Sequence, residues 1–303
     1  MDELPPPAEQ PWFKKEPSWF VDRWKRVGAH RRVTRMRSTD GCKPIRFVVL
    51  APGDAAGAAE VLHITLIRHG QGVHNVLADE ALARGDTRPP YAPDRLLELP
   101  HMVDAALTER GRAEARANQP KARALAPQPS LLVASPLQRA METGLLTFAH
   151  ATEQAPSPIP VLAHDGCREG WFTQNICDLR RPLGEVRAQF EPRGVDFSHV
   201  PPTEADVAGE PVGIPGETAD SIVDRAYGFM LWLLARVNTA TAPDDGAPPE
   251  GGAGSAAVAV ATHSVFLLAL TSGALEWCDD ADPRRAYFET GEMRTLTVRV
   301  HRE

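Results

Sequence analysis

Short apolar runs alternate with longer amphipathic stretches along most of this chain. The apolar runs predict strands at VLHITLI from residue 61, SLLVAS at 130–135, PIPVL at 158–162 and AAVAVAT at 256–262. The amphipathic stretches predict helices near 71–84, 108–126, 137–149, 217–238 and 264–275. Such alternation is typical of an α/β layer structure with a largely parallel sheet.

Three further features refine this pattern. PIRFVVLA at 44–51 predicts an additional strand, and AYFE and RTLTVRV, separated by TGEM, predict a closing hairpin. Thr108 is suited to cap the helix that follows it, because a threonine side chain accepts hydrogen bonds from the first backbone N–H groups of a helix. Pro120 should kink or divide that helix, since proline lacks the N–H donor of a helical turn.

Polar side chains suited to catalysis follow four of the apolar runs at their carboxyl ends. Arg68 and His69 follow the first run, Arg139 lies just beyond SLLVAS, Glu169 follows PIPVLAHDGC, and His263 directly follows AAVAVAT. Ligands of open α/β sheets bind beyond the carboxyl ends of the strands. We therefore predict one shared site containing these five residues, although they are far apart in the chain.

The chemistry of this set fits a phosphoryl group. Two guanidinium groups offer fork-shaped donors, and helix N-termini after His69 and around Arg139 would add backbone N–H groups. A neutral histidine can attack phosphorus, and neighbouring cations lower its pKa. A carboxyl group can protonate the leaving oxygen, and the scheme requires no metal ion. Taken singly, each residue would more often be a structural hydrogen-bonding group, so the hypothesis rests on the set.

Composition narrows the partners and the location. The net charge of −7 gives no electrostatic footprint for nucleic acid or an anionic membrane, so we expect neither partner. The four cysteines lack metal-ligand spacing and indicate reduced thiols. No apolar stretch reaches the length of a membrane helix, and MDELPPPAEQ lacks the apolar core of a signal peptide. We predict a cytoplasmic protein without a cofactor, with an organelle as the alternative location.

Residues 1–58 form a predicted N-terminal extension ahead of the alternating pattern. The first ten residues are proline-rich and predicted to be disordered, and the stretch from Lys14 to Arg46 is basic with interleaved Trp and Phe residues. This stretch is either a docking or nucleic-acid arm or a short helix near 18–28 that packs on the main domain. We favour the helix, because no binding-motif spacing supports the arm. A second low-complexity segment, 239–255, predicts a flexible loop.

LIRHGQGVHNV resembles the signature of the histidine phosphatase superfamily. AALTERGRAEA, SPLQRAMET, PGETADSIVDR and ATHSVFLLAL resemble further family segments and occur in the family order. HGQGVHNV, CRE, CDLRRPLGEVRAQF and GVDFSHV are most similar to the phosphoglycerate mutase-like proteins of plants, algae and fungi. The resemblance implies a three-layer α/β sandwich, with a mostly parallel central sheet flanked by helices, in a catalytic domain at 59–303.

The resemblance also implies a role for each site residue. His69 would be the nucleophile that becomes phosphohistidine, and Glu169 would protonate the leaving group and then activate water. The phosphoryl oxygens would be held by Arg68, Arg139 and His263. Asn75 matches a position that borders the phosphate, and Arg180 and Arg181 would contact the rest of the substrate.

Two positions depart from the family pattern. Ser264 stands where glycine often follows the second histidine of the site, which is tolerable because serine occurs there in the plant-type branch. Glu114 replaces a glutamine, and we expect this change to lie on the surface.

The resemblance leaves the reaction open. A mutase must return the phosphoryl group before water intervenes, and mutases of this family use a C-terminal tail to close the site, whereas only His301, Arg302 and Glu303 follow RTLTVRV here. We therefore expect hydrolysis of a small phosphorylated metabolite. The alternatives are a phosphoglycerate mutase, a phosphoprotein phosphatase, and a non-catalytic regulatory protein that retains the phosphate pocket. The oligomeric state stays open.

Overall fold

The computed structural model describes residues 45–54, 60–86, 90–170, 174–240, 256–279 and 281–302, together with 25, 26 and 29. Side chains in the fourth range are described as far as residue 237. Most of the predicted N-terminal extension and of the loop predicted at 239–255 lies outside the described residues. The nature of the basic stretch and the domain boundary at residue 58 therefore stay predictions.

A sheet of eight strands runs through the described part of the chain. The strands are β1 (Arg46–Val49), β2 (Val61–Arg68), β3 (Leu131–Ala134), β4 (Val161–His164), β5 (Val195–His199), β6 (Ala256–Thr262), β7 (Glu276–Trp277) and β8 (Met293–His301). Their order across the sheet is β5-β4-β3-β6-β2-β8-β1-β7. β8 is antiparallel to its neighbours β1 and β2, and the other paired strands are parallel. The predicted mostly parallel sheet is confirmed.

All five predicted helical stretches contain helices. The helices are α1 (Val73–Ala83), α2 (Glu109–Ala117), α3 (Gln119–Arg123), α4 (Gln138–Thr147), α5 (Ala149–Thr152), α6 (Leu183–Phe190), α7 (Glu204–Ala208), α8 (Ala219–Ala240) and α9 (Ser264–Leu268), which continues as a π-helical turn at Ala269–Ala274. Thr108 caps α2 by accepting from the backbone N–H of Gly111. The division between α2 and α3 falls at Asn118, just before Pro120, as predicted. The apolar pattern of the sequence did not predict β5, β7, α6 or α7.

Side chains of β2 point alternately into two helical layers, because successive residues of a strand face opposite sides of the sheet. Ile64 and Leu66 lie in one apolar cluster with Phe229 of α8. Ile67 lies in a second cluster with Met141 of α4. All five side chains are buried. The sheet is therefore covered on both faces, and the three-layer sandwich is confirmed.

The predicted hairpin between AYFE and RTLTVRV is wrong. The second segment is β8, which pairs with β1 and β2, whereas AYFE is irregular. The carbonyl oxygens of Ala286 and Tyr287 accept hydrogen bonds from the Arg294 guanidinium at 2.5 and 2.7 Å. The carbonyl oxygen of Phe288 accepts one from Arg68 at 2.7 Å. Arginine side chains thus satisfy backbone groups that a strand ladder would otherwise have satisfied.

The turn that follows β2 packs directly on the start of α2. A Cβ atom on Gly70 would overlap the backbone of Gly111, and a Cβ atom on Gly111 would overlap the carbonyl oxygen of Gln71. The backbone N–H of Thr108 donates to that same oxygen at 2.9 Å. Only glycine allows two backbones to approach this closely. The exit of the chain from β2 is therefore fixed against α2.

Replacing Gly111 by alanine should destabilise the protein, because the backbone around Gln71 would have to move. We expect a loss of roughly 1–3 kcal/mol in the free energy of unfolding, the usual cost of overpacking, measured by urea denaturation. Gly184 is the matched control, since it also lies in the first turn of a helix but a Cβ atom there meets nothing within 4 Å. Equal effects of Gly111→Ala and Gly184→Ala would contradict the close approach.

Candidate active site

The register of the sheet brings the ends of β2, β3 and β6 to one edge. Arg68 lies opposite Thr262 in the parallel pair β2–β6, and the backbone N–H of His69 donates to the Thr262 carbonyl at 2.9 Å. β3 pairs with β6 as far as its last residue, so the chain enters α4 at the same edge. As a result, the ring centroids of His69 and His263 lie 5.1 Å apart.

His69 is a buried imidazole, and one hydrogen bond determines which of its ring nitrogens keeps the lone pair. Its Nδ1 lies 2.7 Å from the carbonyl oxygen of Gly70. A carbonyl only accepts, so Nδ1 carries the hydrogen and a neutral ring has its lone pair on Nε2. Burial lowers the pKa of His69 well below its ordinary value, and nearby Arg139, His74 and Arg68 lower it further. The neutral ring is therefore the dominant form at physiological pH.

Two more buried histidines flank His69. Nε2 of His263 lies 2.7 Å from Oγ of Ser135. The ring of His74 lies 5.5 Å from that of His69, and it is buried, so His74 forms a wall of the site. Burial, followed by the charge of Arg139, lowers the pKa of both His263 and His74 well below the ordinary value. The site therefore holds a cluster of neutral imidazoles.

The two predicted phosphate-binding arginines are both buried beside these rings. Nη1 of Arg68 donates to the carbonyl oxygen of Phe288 at 2.7 Å. Nη1 of Arg139 donates to the carbonyl oxygen of Cys177 at 2.7 Å, and its Nη2 donates to Oδ1 of Asp178 at 2.8 Å. A guanidinium group carries five N–H donors. Each arginine therefore keeps donors that these contacts do not use.

Four buried nitrogen atoms around His69 have no hydrogen-bond partner within the described part of the chain. They are Nε of Arg68, Nε of Arg139, Nδ1 of His74 and Nδ1 of His263. Buried polar groups without a partner are rare and costly, and such a group calls for an explanation. An anion with several acceptor oxygens satisfies donors of this kind. The cluster is therefore suited to a phosphoryl group.

Glu169 lies beside His263, at the N-terminus of α9. Its Oε1 accepts from the backbone N–H groups of Val265 and Phe266 at 3.0 and 3.1 Å, and its Oε2 accepts from Oγ of Ser264 at 3.1 Å. The side chain is 9% exposed. The serine at position 264 thus gives Glu169 a donor that a glycine would lack. The role of Glu169 as a proton donor stays a prediction.

The three residues predicted to bind substrate outside the catalytic set, Asn75, Arg180 and Arg181, all contact other protein groups. Oδ1 of Asn75 accepts from a backbone N–H of the turn before α1 at 2.8 Å. Arg180 is buried and donates to both carboxylate oxygens of Asp206, at 2.8 and 2.9 Å. Nε of Arg181 donates to Oδ2 of Asp104 at 3.2 Å. These contacts tie Arg180 to α7 and not to the histidines, and substrate contacts by all three residues stay predictions.

Three residues that support the site were not predicted from the sequence. Oγ1 of Thr143 accepts from the backbone N–H of Gly70 at 3.1 Å, and Ser135 contacts His263 as described. Both lie in SPLQRAMET, so that motif contained the signal. The third residue, Asp178, pairs with Arg139, and no spacing in the sequence indicates this contact.

The expectation that Glu114 is a surface change is wrong. Oε2 of Glu114 accepts from the backbone N–H of Gln71 at 2.8 Å, and its side chain is 20% exposed. Its Oε1 accepts from Nε of Arg110. Glu114 therefore holds the turn that follows His69 against α2.

Among the described residues, no group of three or more His, Cys, Asp and Glu side chains is arranged to hold a metal ion. No helix in the same ranges is long and apolar enough to cross a membrane.

The imidazole of His69 should stay neutral as the pH falls below the ordinary histidine pKa. Its folded-state pKa is lowered, so protonation requires a pH well below 6.5, and the neutral form persists above that point. NMR titration of the labelled ring measures this midpoint directly. The same residue in urea-denatured protein is the control and should titrate near about 6.5. Coincident midpoints in the two states would contradict the burial of a neutral ring.

Three known proteins are similar to this chain at low identity. The phosphoglycerate mutase-like protein of Arabidopsis thaliana is 24% identical over 261 residues, which cover 78% of this chain and 83% of that protein. The ecdysone phosphate phosphatase from Bombix mori is 17% identical, with a TM-score of 0.45 over 76% of this chain and 83% of that chain. The phosphoglycerate mutase from Bacillus anthracis is 13% identical, with a TM-score of 0.45 over 81% and 93%. Likeness at this level identifies neither reaction nor substrate.

A family model covers most of the site. It matches residues 97–301, more than half of the chain. Arg68 and His69 precede this range, and the pairing of β2 with β6 brings them into contact with it. The matched model is that of the histidine phosphatase superfamily (branch 1), and this chain belongs to that family.

Proposed function

We propose that this protein is a metal-independent phosphomonoesterase that acts on a small phosphorylated metabolite through a phosphohistidine intermediate. Membership of the histidine phosphatase superfamily supports a phosphatase. One observation carries the proposal: four buried nitrogen atoms near His69 have no hydrogen-bond partner among the described residues. A phosphoryl group would give the Nε–H groups of Arg68 and Arg139 an acceptor, and it would do the same for His74 or His263 in the tautomer that carries hydrogen on Nδ1.

The reaction would proceed in two steps. In the first step, the lone pair of His69 Nε2 forms a bond to phosphorus while the ester P–O bond breaks, and the leaving oxygen takes a proton from Glu169. In the second step, water attacks phosphorus and gives a proton to Glu169, and the P–N bond breaks with its electron pair returning to Nε2. Arg68, Arg139 and His263 would stabilise the charge on the phosphoryl oxygens throughout.

The depth of the site favours a small substrate. His69 is 1% exposed and Arg139 is fully buried, so the phosphoryl group would have to enter the protein to reach them. Tyr91 and Tyr287 extend the walls, with ring contacts to His74 and Arg68 at 6.1 and 5.1 Å. A phosphoprotein would have to present its side chain through the same opening, which makes it the less favoured alternative.

A phosphoglycerate mutase is the second candidate. The observation in its favour is the similarity to the Arabidopsis thaliana phosphoglycerate mutase-like protein. Both reactions use the same phosphohistidine, and they differ in whether water or a second substrate hydroxyl removes the phosphoryl group. A non-catalytic regulatory protein is the third candidate, and it is distinguished from both by the absence of turnover.

We further propose a cytoplasmic location. The three described cysteines, Cys167, Cys177 and Cys278, are free thiols, as is usual in reducing compartments. The net charge is −7, so the protein as a whole does not attract an anionic substrate. Such a substrate would be attracted by the local cluster of arginines.

Replacing His69 by alanine should reduce phosphate release by roughly 10³-fold or more, because the nucleophile is lost. Phosphate release is measured on a panel of phosphorylated metabolites and on 4-nitrophenyl phosphate. His63→Ala is the matched control, since His63 lies in β2, the strand that leads to His69, but its ring contacts Thr297 on β8. Rapid quenching should trap a phosphorylated wild-type protein and no phosphorylated His69→Ala protein.

The mutase alternative is tested on the same preparations. Interconversion of phosphoglycerates, primed with bisphosphoglycerate, that ran faster than phosphate release would overturn hydrolysis as the main reaction. Unchanged phosphate release by the His69→Ala protein would overturn the phosphohistidine intermediate itself. Lack of turnover on every substrate would favour the regulatory alternative.

Replacing Glu169 by glutamine should affect poor leaving groups most, because only these need a proton from the enzyme. We expect a loss of roughly 10²–10⁴-fold with an alkyl phosphate, and a much smaller loss with 4-nitrophenyl phosphate, whose leaving group departs as an anion. kcat/KM is measured for both substrates. Glu276→Gln on β7, which pairs with Arg46, is the control. Equal losses on the two substrates would exclude Glu169 as the proton donor.

A further inference from the structure

Asp178 is a buried carboxyl group that the proposed reaction does not use. Its Oδ1 lies 2.8 Å from Nη2 of Arg139, and the two side chains are 7% and 0% exposed. The carbonyl oxygen of the preceding residue, Cys177, accepts from Nη1 of the same guanidinium at 2.7 Å. Two successive residues of one short segment therefore bind both terminal nitrogens of Arg139.

The segment that carries Asp178 is itself held in place. The backbone N–H of Ile176 donates to the carbonyl oxygen of Tyr91 at 3.0 Å. The backbone N–H of Asp178 donates to the carbonyl oxygen of Asn175, also at 3.0 Å. Ile176 and Cys177 are buried in an apolar cluster with Tyr91. The backbone that carries the Asp178 carboxylate is therefore fixed by packing and by hydrogen bonds.

These contacts determine which edge of the Arg139 guanidinium remains available. A guanidinium group is planar, so fixing both terminal nitrogens also fixes the direction of the Nε–H bond. That Nε is one of the buried nitrogens without a partner among the described residues. We propose that Asp178 is a positioning residue, which holds Arg139 so that its Nε–H edge faces the phosphoryl group. The inference rests on the proposed phosphatase function, because Arg139 is its phosphate ligand.

The charge of Asp178 also suits this role. Arg68 and Arg139 bring two positive charges close to His69, and a buried cation is costly unless it is paired. Asp178 faces Arg139, with Glu169, Tyr91 and Cys177 as the other titratable groups near it. Burial raises the pKa of Asp178 to about 6, with Arg139 opposing that rise and Glu169 adding to it. Above that pH the ionised carboxylate pairs with Arg139 before any substrate arrives.

A double-mutant cycle tests whether Asp178 acts through Arg139. The single variants Asp178→Ala and Arg139→Ala and the double variant are assayed at pH 8 for kcat/KM on 4-nitrophenyl phosphate and for the Kd of tungstate. Asp178→Ala should weaken both by roughly 10- to 100-fold, the range for losing a hydrogen bond to a charged group. In the Arg139→Ala background the same substitution should change either quantity by less than about twofold, since residues that act together are not additive.

Conservative replacement separates positioning from general damage. Asp178→Asn keeps an acceptor oxygen for Nη2, so it should retain most of the tungstate affinity that Asp178→Ala loses. Asp206→Ala is the stability control, because Asp206 pairs with the buried Arg180 at the same 2.8 Å distance. Asp206 also accepts from the backbone N–H groups of Leu183 and Thr203, so the thermal midpoint of Asp206→Ala gives an upper reference for the stability lost in Asp178→Ala. If Asp178→Ala fails to fold, the cycle is run with Asp178→Ser.

Two results would overturn the inference. One is a full effect of the Asp178 substitution in the Arg139→Ala background. The other is equal loss of tungstate affinity in Asp178→Asn and Asp178→Ala. Failure of the proposed function gives a different pattern, in which the wild type binds tungstate without releasing phosphate, and the binding cycle still decides the role of Asp178.

Discussion

Parallel pairing of β2 with β6 is the constraint on which the site depends. Because the two strands run in the same direction and stay in register to their ends, His69 and His263 emerge side by side. If the strand in the place of β6 were antiparallel to β2, its N-terminal end would lie beside His69, and the residue that follows the strand would lie at the opposite edge of the sheet. The neighbouring strand β3 adds the entry to α4, and with it Arg139. Gly70 and Gly111 have no side chains, so the chain that leaves β2 can pack directly against the start of α2.

The electrostatic balance of the site follows from its burial. Imidazole rings that are closed off from water and lie near guanidinium groups stay neutral, which preserves the lone pair on His69. The arginines keep their positive charge when buried, and carboxylate and carbonyl oxygens that accept hydrogen bonds from them balance this charge. Asp178 does this for Arg139 and Phe288 does it for Arg68. The Nε–H groups of both arginines have no acceptor among the described residues, which favours the binding of an anion beside His69.

The sequence was sufficient to predict the features that depend on local pattern. The strands at 61–68 and 256–262, the break near Pro120 and the convergence of the strand ends all follow from periodicity and from the physics of a parallel sheet. The predicted hairpin at AYFE failed because the side chain of Arg294, in the segment predicted as the second arm, binds the backbone carbonyl groups of the first, a contact that the apolar pattern does not encode. Glu114 and Asp178 were missed for a different reason, since their partners Gln71 and Arg139 lie far away in the chain. Distant side-chain pairing is set by the fold, and the sequence reveals it only where a motif happens to include both partners.

Arg68 serves the turn at 286–288 as well as the site. Its Nη1 holds the carbonyl oxygen of Phe288, its guanidinium lies over the ring of Tyr287, and Arg294 holds the two preceding carbonyl groups. Arg68 would therefore contact this turn and a bound anion at the same time. Linkage requires the dependence to run both ways: whatever an anion does to the orientation of Arg68 alters the energy of the turn, and a rearranged turn alters the affinity for the anion by the same factor. The conformation of the approach to β8 and the orientation of the Arg68 guanidinium therefore depend on each other.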